Sequence, residues 1–112
     1  MKVVEFDGPG GGWRVLIPET RRERMRGLRG RPPPGPREAM LLRDCRSVHT
    51  FGMTQPLEVA FLDRELRVTE VRHPPPRRVV VARRRGRHVF ETGVGSSLRI
   101  GDRFSLATRE RR

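Results

Sequence analysis

The apolar residues of this chain fall in short alternating runs, each closed by glycine, proline or charge. This pattern restricts the fold more than any other feature. A period of two sends neighbouring side chains to opposite faces of a strand, whereas a helix needs apolar residues three and four apart over a longer stretch. Residues 2–6 and 13–17 alternate in this way, and Gly8-Pro9-Gly10-Gly11-Gly12 between them reads as a hairpin connection. Those glycines do not make a phosphate-cradling loop, because no Lys-Ser/Thr ending and no helix follows them.

One segment departs from the period of two. Thr20-Arg21-Arg22-Glu23 has the spacing of a capping box and predicts a short helix near residues 20–29, with Met25 and Leu28 on one face. Gly30 and Pro32-Pro33-Pro34-Gly35-Pro36 forbid its continuation. Strand signals then recur at 39–42, 48–51, 57–62, 67–71 and 104–107. Val79-Val80-Val81 and Val89-Phe90 suggest a second hairpin turning near Arg85-Gly86. In 57–62 the alternation puts Leu57, Val59 and Phe61 on a common face. The expected fold is mainly β, a small β-sandwich or barrel-like domain with one short helix.

At 112 residues the chain suits one domain, expected over 1–108, with a frayed tail at 109–112. Charged residues make up 34%, a level compatible with disorder, but the strand-like runs argue for a packed core. Cys45 is the only cysteine, so no internal disulfide can form and the thiol reads as a small apolar filler. The first residues meet an acid and then glycines before a secretion signal could develop, and no run approaches the ~20 apolar residues of a membrane helix. The expected location is cytoplasmic, without a membrane partner, and the expected state is monomeric.

The most specific stretch is His49-Thr50-Phe51-Gly52-Met53-Thr54-Gln55-Pro56-Leu57 and the strand that leads on to Asp63. It resembles the domain of unknown function 192 family, small prokaryotic proteins, one branch of which opens this motif with His-Thr-Phe-Gly-Met. Arg26-Gly27-Leu28-Arg29-Gly30-Arg31, Ala39-Met40-Leu41-Leu42, Phe90-Glu91-Thr92 and Gly101-Asp102 resemble further family blocks in the same order, over roughly residues 13–106. Glu58 stands where the family pattern usually has aspartate, the turn at 64–66 lacks the usual glycine, and the stretch between Glu91 and Gly101 is shorter. The resemblance implies a mainly β, sandwich-like fold and no particular activity.

His49 titrates near neutral pH and is the weak candidate for catalysis, as acid or base beside a carboxylate in a hydrolase-like enzyme. Adjacent strand residues point to opposite faces, so His49 and Thr50 do not make a natural nucleophile pair. No histidine or cysteine pair has metal-ligand spacing, and neither a metal nor a cofactor is expected. Asp63 and Asp102 read as turn caps. Glu91 lies within an apolar strand and requires a partner if buried, with Arg26 the nearest candidate in the pattern. A ligand- or protein-binding pocket is therefore expected around Arg26, His49, Phe51, Met53, Glu58 and Glu91.

Net charge is +12, and Lys2 is the only lysine among 25 basic residues. Abundant Gly, Pro and Val point to a GC-rich coding background as the source of that arginine bias. Residues 72–88 carry seven arginines and no acid, whereas 48–71 carry four acids and two arginines. Arg77, Arg78, Arg83, Arg84, Arg85 and Arg87 form the expected polyanion-binding set, and non-specific nucleic acid is the alternative partner. No aromatic residue lies between those arginines to stack on bases, which argues against sequence reading. The leading expectation is an accessory module that binds a small ligand or a protein.

Overall fold

The computed structural model describes residues 1–49, 57–75, 77–82 and 86–107, leaving aside the His49 side chain. β1 (Lys2–Gly8) and β2 (Gly11–Ile17) form an antiparallel hairpin in register from Lys2↔Ile17 to Gly8↔Gly11. Pro9 and Gly10 make the connection. Gly10 has φ +80°, a conformation that favours glycine after proline at a tight turn. β2 runs parallel to β3 (Glu38–Leu42), which requires the intervening chain to cross over, and α1 (Arg21–Arg26) lies on that crossover.

β5 (Leu57–Leu62) and β3 both pair antiparallel with β8 (His88–Gly93), which lies between them. β6 (Val68–Arg72) is outside β5, and β9 (Ser105–Leu106) is outside β1. The resulting seven-stranded sheet has the order β6-β5-β8-β3-β2-β1-β9 and curls into a half-barrel. β4 (Ser47–His49) and β7 (Val79–Val81) form a separate two-stranded ribbon.

The expected hairpin between Val79–Val81 and Val89–Phe90 does not form. β7 pairs with β4, while β8 is a central strand of the large sheet. The reason lies in burial. Only Val80 of the three valines is buried, whereas Val89, Phe90, Glu91 and Thr92 are all buried and need cover on both faces.

Both faces of the central strands are covered, so the sheet has two cores. On one face Trp13, Phe90 and Phe104 pack with ring centroids 4.5–5.7 Å apart, joined by Val15, Leu41, Ala60 and Leu62. On the other, Met40, Leu42, Leu57, Val59, Phe61 and Val89 meet Leu28, Val80 and Ala82. Each large apolar side chain buried in this way contributes roughly 1.5–3 kcal/mol. The grouping of Leu57, Val59 and Phe61 agrees with the alternation. The burial of Glu58, Ala60 and Leu62 on the reverse face is additional.

α1 buries none of its six residues, and Met25 is 66% exposed. So short a helix has little intrinsic stability and depends on its ends. Glu23 donates its backbone N–H to Thr20 Oγ1 (3.1 Å), and Glu23 Oε1 accepts from the backbone N–H groups of Glu19 (2.8 Å) and Thr20 (3.2 Å). The Met1 ammonium contacts Glu23 Oε2 at 2.7 Å. That contact first, and the backbone N–H groups second, lower the Glu23 carboxyl to about 2. Gly27 ends the helix with φ +56°, and Leu28 turns into the second core. The helix thus stops short of residue 28, since its only apolar anchor lies beyond the cap.

Candidate functional site: a buried carboxyl below an arginine rim

Glu91 sits in the middle of β8, with Met40 of β3 and Val59 of β5 as its cross-strand neighbours. Its side chain therefore projects to the α1 side of the sheet into apolar surroundings and is 3% exposed. It forms the inner wall of a cavity of about 310 Å³. α1 and the turn after it supply Arg21, Arg24, Met25, Arg26, Leu28 and Arg29. Leu42, Cys45, Ser47 and Val48 complete the lining from β3, the following loop and β4.

Among the described residues no hydrogen bond or ion pair engages the Glu91 carboxyl. Among the described residues no fully enclosed side-chain oxygen or nitrogen lacks a partner, so the carboxyl opens onto the cavity that it lines. Burial is the cause that raises it from 4.5 to about 7. At neutral pH the group is therefore divided between an acid that can donate and a carboxylate that can accept.

Arg26 and Glu91 share the cavity, but the anticipated ion pair between them is absent. The guanidinium of Arg26 donates from Nε to the Arg29 carbonyl (3.3 Å), and Arg29 returns a bond from Nε to the Arg26 carbonyl (3.3 Å). Arg29 also reaches the Met25 carbonyl (3.1 Å), and Arg24 reaches that of Arg43 (2.9 Å). Three of these contacts go to carbonyls of the last helical turn and the turn after it, the fourth to the turn after β3, and together they hold these arginines as a rim. Cys45 is half-buried on the wall, with Sγ 2.9 Å from the Ser47 carbonyl.

Glu58 is placed elsewhere. It pairs with Thr92 across β5 and β8, one residue out of phase with Glu91, and so projects from the opposite face. There it is 3% exposed and accepts from Ser96 Oγ at one oxygen, while His73 Nε2 lies 3.1 Å from the other. The serine and the imidazole both address the carboxylate, not each other, so no serine–histidine relay forms. The cluster fastens two loops to β5. Sequence reasoning overlooked Ser96 and His73, and the one available signal was that an acid within an apolar strand requires donors.

Asp63 has the turn geometry its position predicts, whereas Asp102 closes the turn that precedes it. Asp63 Oδ1 accepts from the N–H groups of Glu65 and Arg67 (both 2.9 Å), and Asp102 Oδ2 accepts from that of Arg99 (2.8 Å). Arg77, Arg78 and Arg87 are exposed, and Arg87 lies 3.6 Å from Asp44. The His49 backbone ends β4 opposite Val79. Its side chain, together with Phe51, Met53, Arg83, Arg84 and Arg85, lies outside the described residues. Among the described residues no cluster of three metal-ligating side chains occurs, and no helix is long and apolar enough to cross a membrane.

Comparison with known proteins gives a family and a fold. The family model of domain of unknown function 192, described as an uncharacterised ACR, matches residues 3–105. A crystal structure of a protein of unknown function from Novosphingobium aromaticivorans is similar over 93% of this chain and 84% of its own, at 21% identity and a TM-score of 0.74. A Sinorhizobium meliloti protein described as a candidate transcription regulator is similar over 93% and 92%, at 19% identity and a TM-score of 0.75. No functionally curated protein matches the chain.

Proposed function

The chain belongs to the domain of unknown function 192 family, whose description carries no chemistry, and from the geometry of its own cavity we propose that it is a small-ligand-binding module. The observation that carries this reading is the Glu91 carboxyl, buried at the cavity wall with no partner among the described residues. A buried acid without donors lowers stability, and a packed core has no use for one unless something else completes it. The cavity lies at the lower end of the roughly 300–1,000 Å³ typical of small-molecule sites, and apolar walls with few polar groups are their usual construction.

The test is a fragment screen by ligand-observed NMR on the intact chain, repeated on Glu91→Gln and on Val48→Phe, which fills the cavity. Fragments lost in both variants are the expected result. Hits indifferent to both substitutions, or a blank screen, would refute the proposal.

A further inference from the structure

The cavity has two chemically opposed ends that do not touch. Glu91 is at the buried end, and Arg21, Arg24, Arg26 and Arg29 stand at the solvent end. The same lining includes the apolar side chains of Leu28, Leu42 and Val48, of which Leu28 and Leu42 are buried. An anion alone would satisfy the rim and leave the carboxyl unpartnered. A cation alone would satisfy the carboxyl but would have to remain beneath four guanidinium groups.

Resting on the ligand-site reading above, we infer that the occupant is a small zwitterion, with a primary ammonium for Glu91 and a carboxylate or phosphate for the arginine rim, joined by a short apolar spacer. An ammonium suits the inner end because a buried carboxylate gains most from a full positive charge with its own N–H donors. Among the described residues no rim guanidinium pairs with it, and Arg24, Arg26 and Arg29 are turned to backbone carbonyls. The slender end of an alkylammonium can enter where a rim-bound guanidinium cannot. At the outer end the planar forks of arginine match the paired oxygens of a carboxylate or a phosphate. At about 310 Å³ the cavity is near the small end of ligand sites and suits a short chain.

Calorimetry on the full chain with 5-aminovalerate, 5-aminopentyl phosphate, valerate and pentylamine tests this inference. At least one zwitterion should bind about tenfold or more tightly than either single-ended probe. Glu91→Gln should abolish its advantage over valerate, and Arg21→Gln combined with Arg26→Gln should abolish its advantage over pentylamine. The two zwitterions together report whether the outer group is carboxylate or phosphate. Valerate binding as tightly as both zwitterions, an advantage that survives Glu91→Gln, or no zwitterion binding at all would overturn the inference. Pentylamine binding that Glu91→Gln removes, with no gain from the second charge, would overturn the zwitterion while leaving the ligand site intact. A panel and a fragment screen both blank to Glu91→Gln would overturn both.

Discussion

Replacing Glu91 by glutamine should make the domain more stable at pH 8 and leave it nearly unchanged at pH 4. The carboxyl moves from 4.5 to about 7 on folding because burial disfavours its charged form. Between those values the native state holds a proton that the unfolded state has released, so stability falls as pH rises through the window. At about 1.4 kcal/mol per pH unit the whole displacement corresponds to about 3 kcal/mol, present as a loss above pH 7 and absent below pH 4.5. Glutamine keeps the shape and has nothing to ionise. His88 titrates nearby with the opposite sign. Burial lowers its pKa, and its Nδ1 accepts from the Asp44 N–H at 3.0 Å. Taking the difference between variant and parent at each pH cancels that contribution. Urea denaturation at half-unit intervals from pH 4 to 8 measures it. Parallel stability curves for the two proteins would show that Glu91 is not buried without a partner, and the ligand-site argument would fall with it.

Three further substitutions test the frame around the site. Gly8→Ala would place a methyl group 2.5 Å from the buried Phe104 ring and should cost about 1–3 kcal/mol in urea denaturation; a neutral result would mean that the aromatic cluster is looser than described. Thr20→Ala removes the cap of α1 and should cost about 1 kcal/mol, with the loss confined by hydrogen exchange to residues 20–27. Ser96→Ala deprives the buried Glu58 carboxylate of a donor and should cost about 1–3 kcal/mol, whereas combining it with Glu58→Gln should recover part of that loss; additive costs would refute the coupling.

Local signals were legible wherever the chemistry was local. The capping box at Thr20 and Glu23, the turn at Pro9-Gly10 and the Asx-type cap at Asp63 depend on residues a few positions apart, and each has the geometry its spacing predicts. The face shared by Leu57, Val59 and Phe61 follows from the pleat alone. Strand partnership was not legible in the same way. Three consecutive valines near a turn look like half of a hairpin, but β7 joins β4, because β8 must lie where both its faces find cover.

Period, proline, glycine and capping act over short distances, and they suffice to make this chain mainly β with one capped helix and acids within apolar strands. What those acids meet depends on how the strands assemble. Glu58 and Glu91 looked alike as acids in neighbouring apolar runs, yet the antiparallel register of β5 and β8 sends them to opposite faces. One meets Ser96 and His73, and the other meets open space beneath arginines contributed from sixty or more residues earlier in the chain. Facing is a property of register between distant segments, and so the candidate site could emerge only when the sheet was assembled.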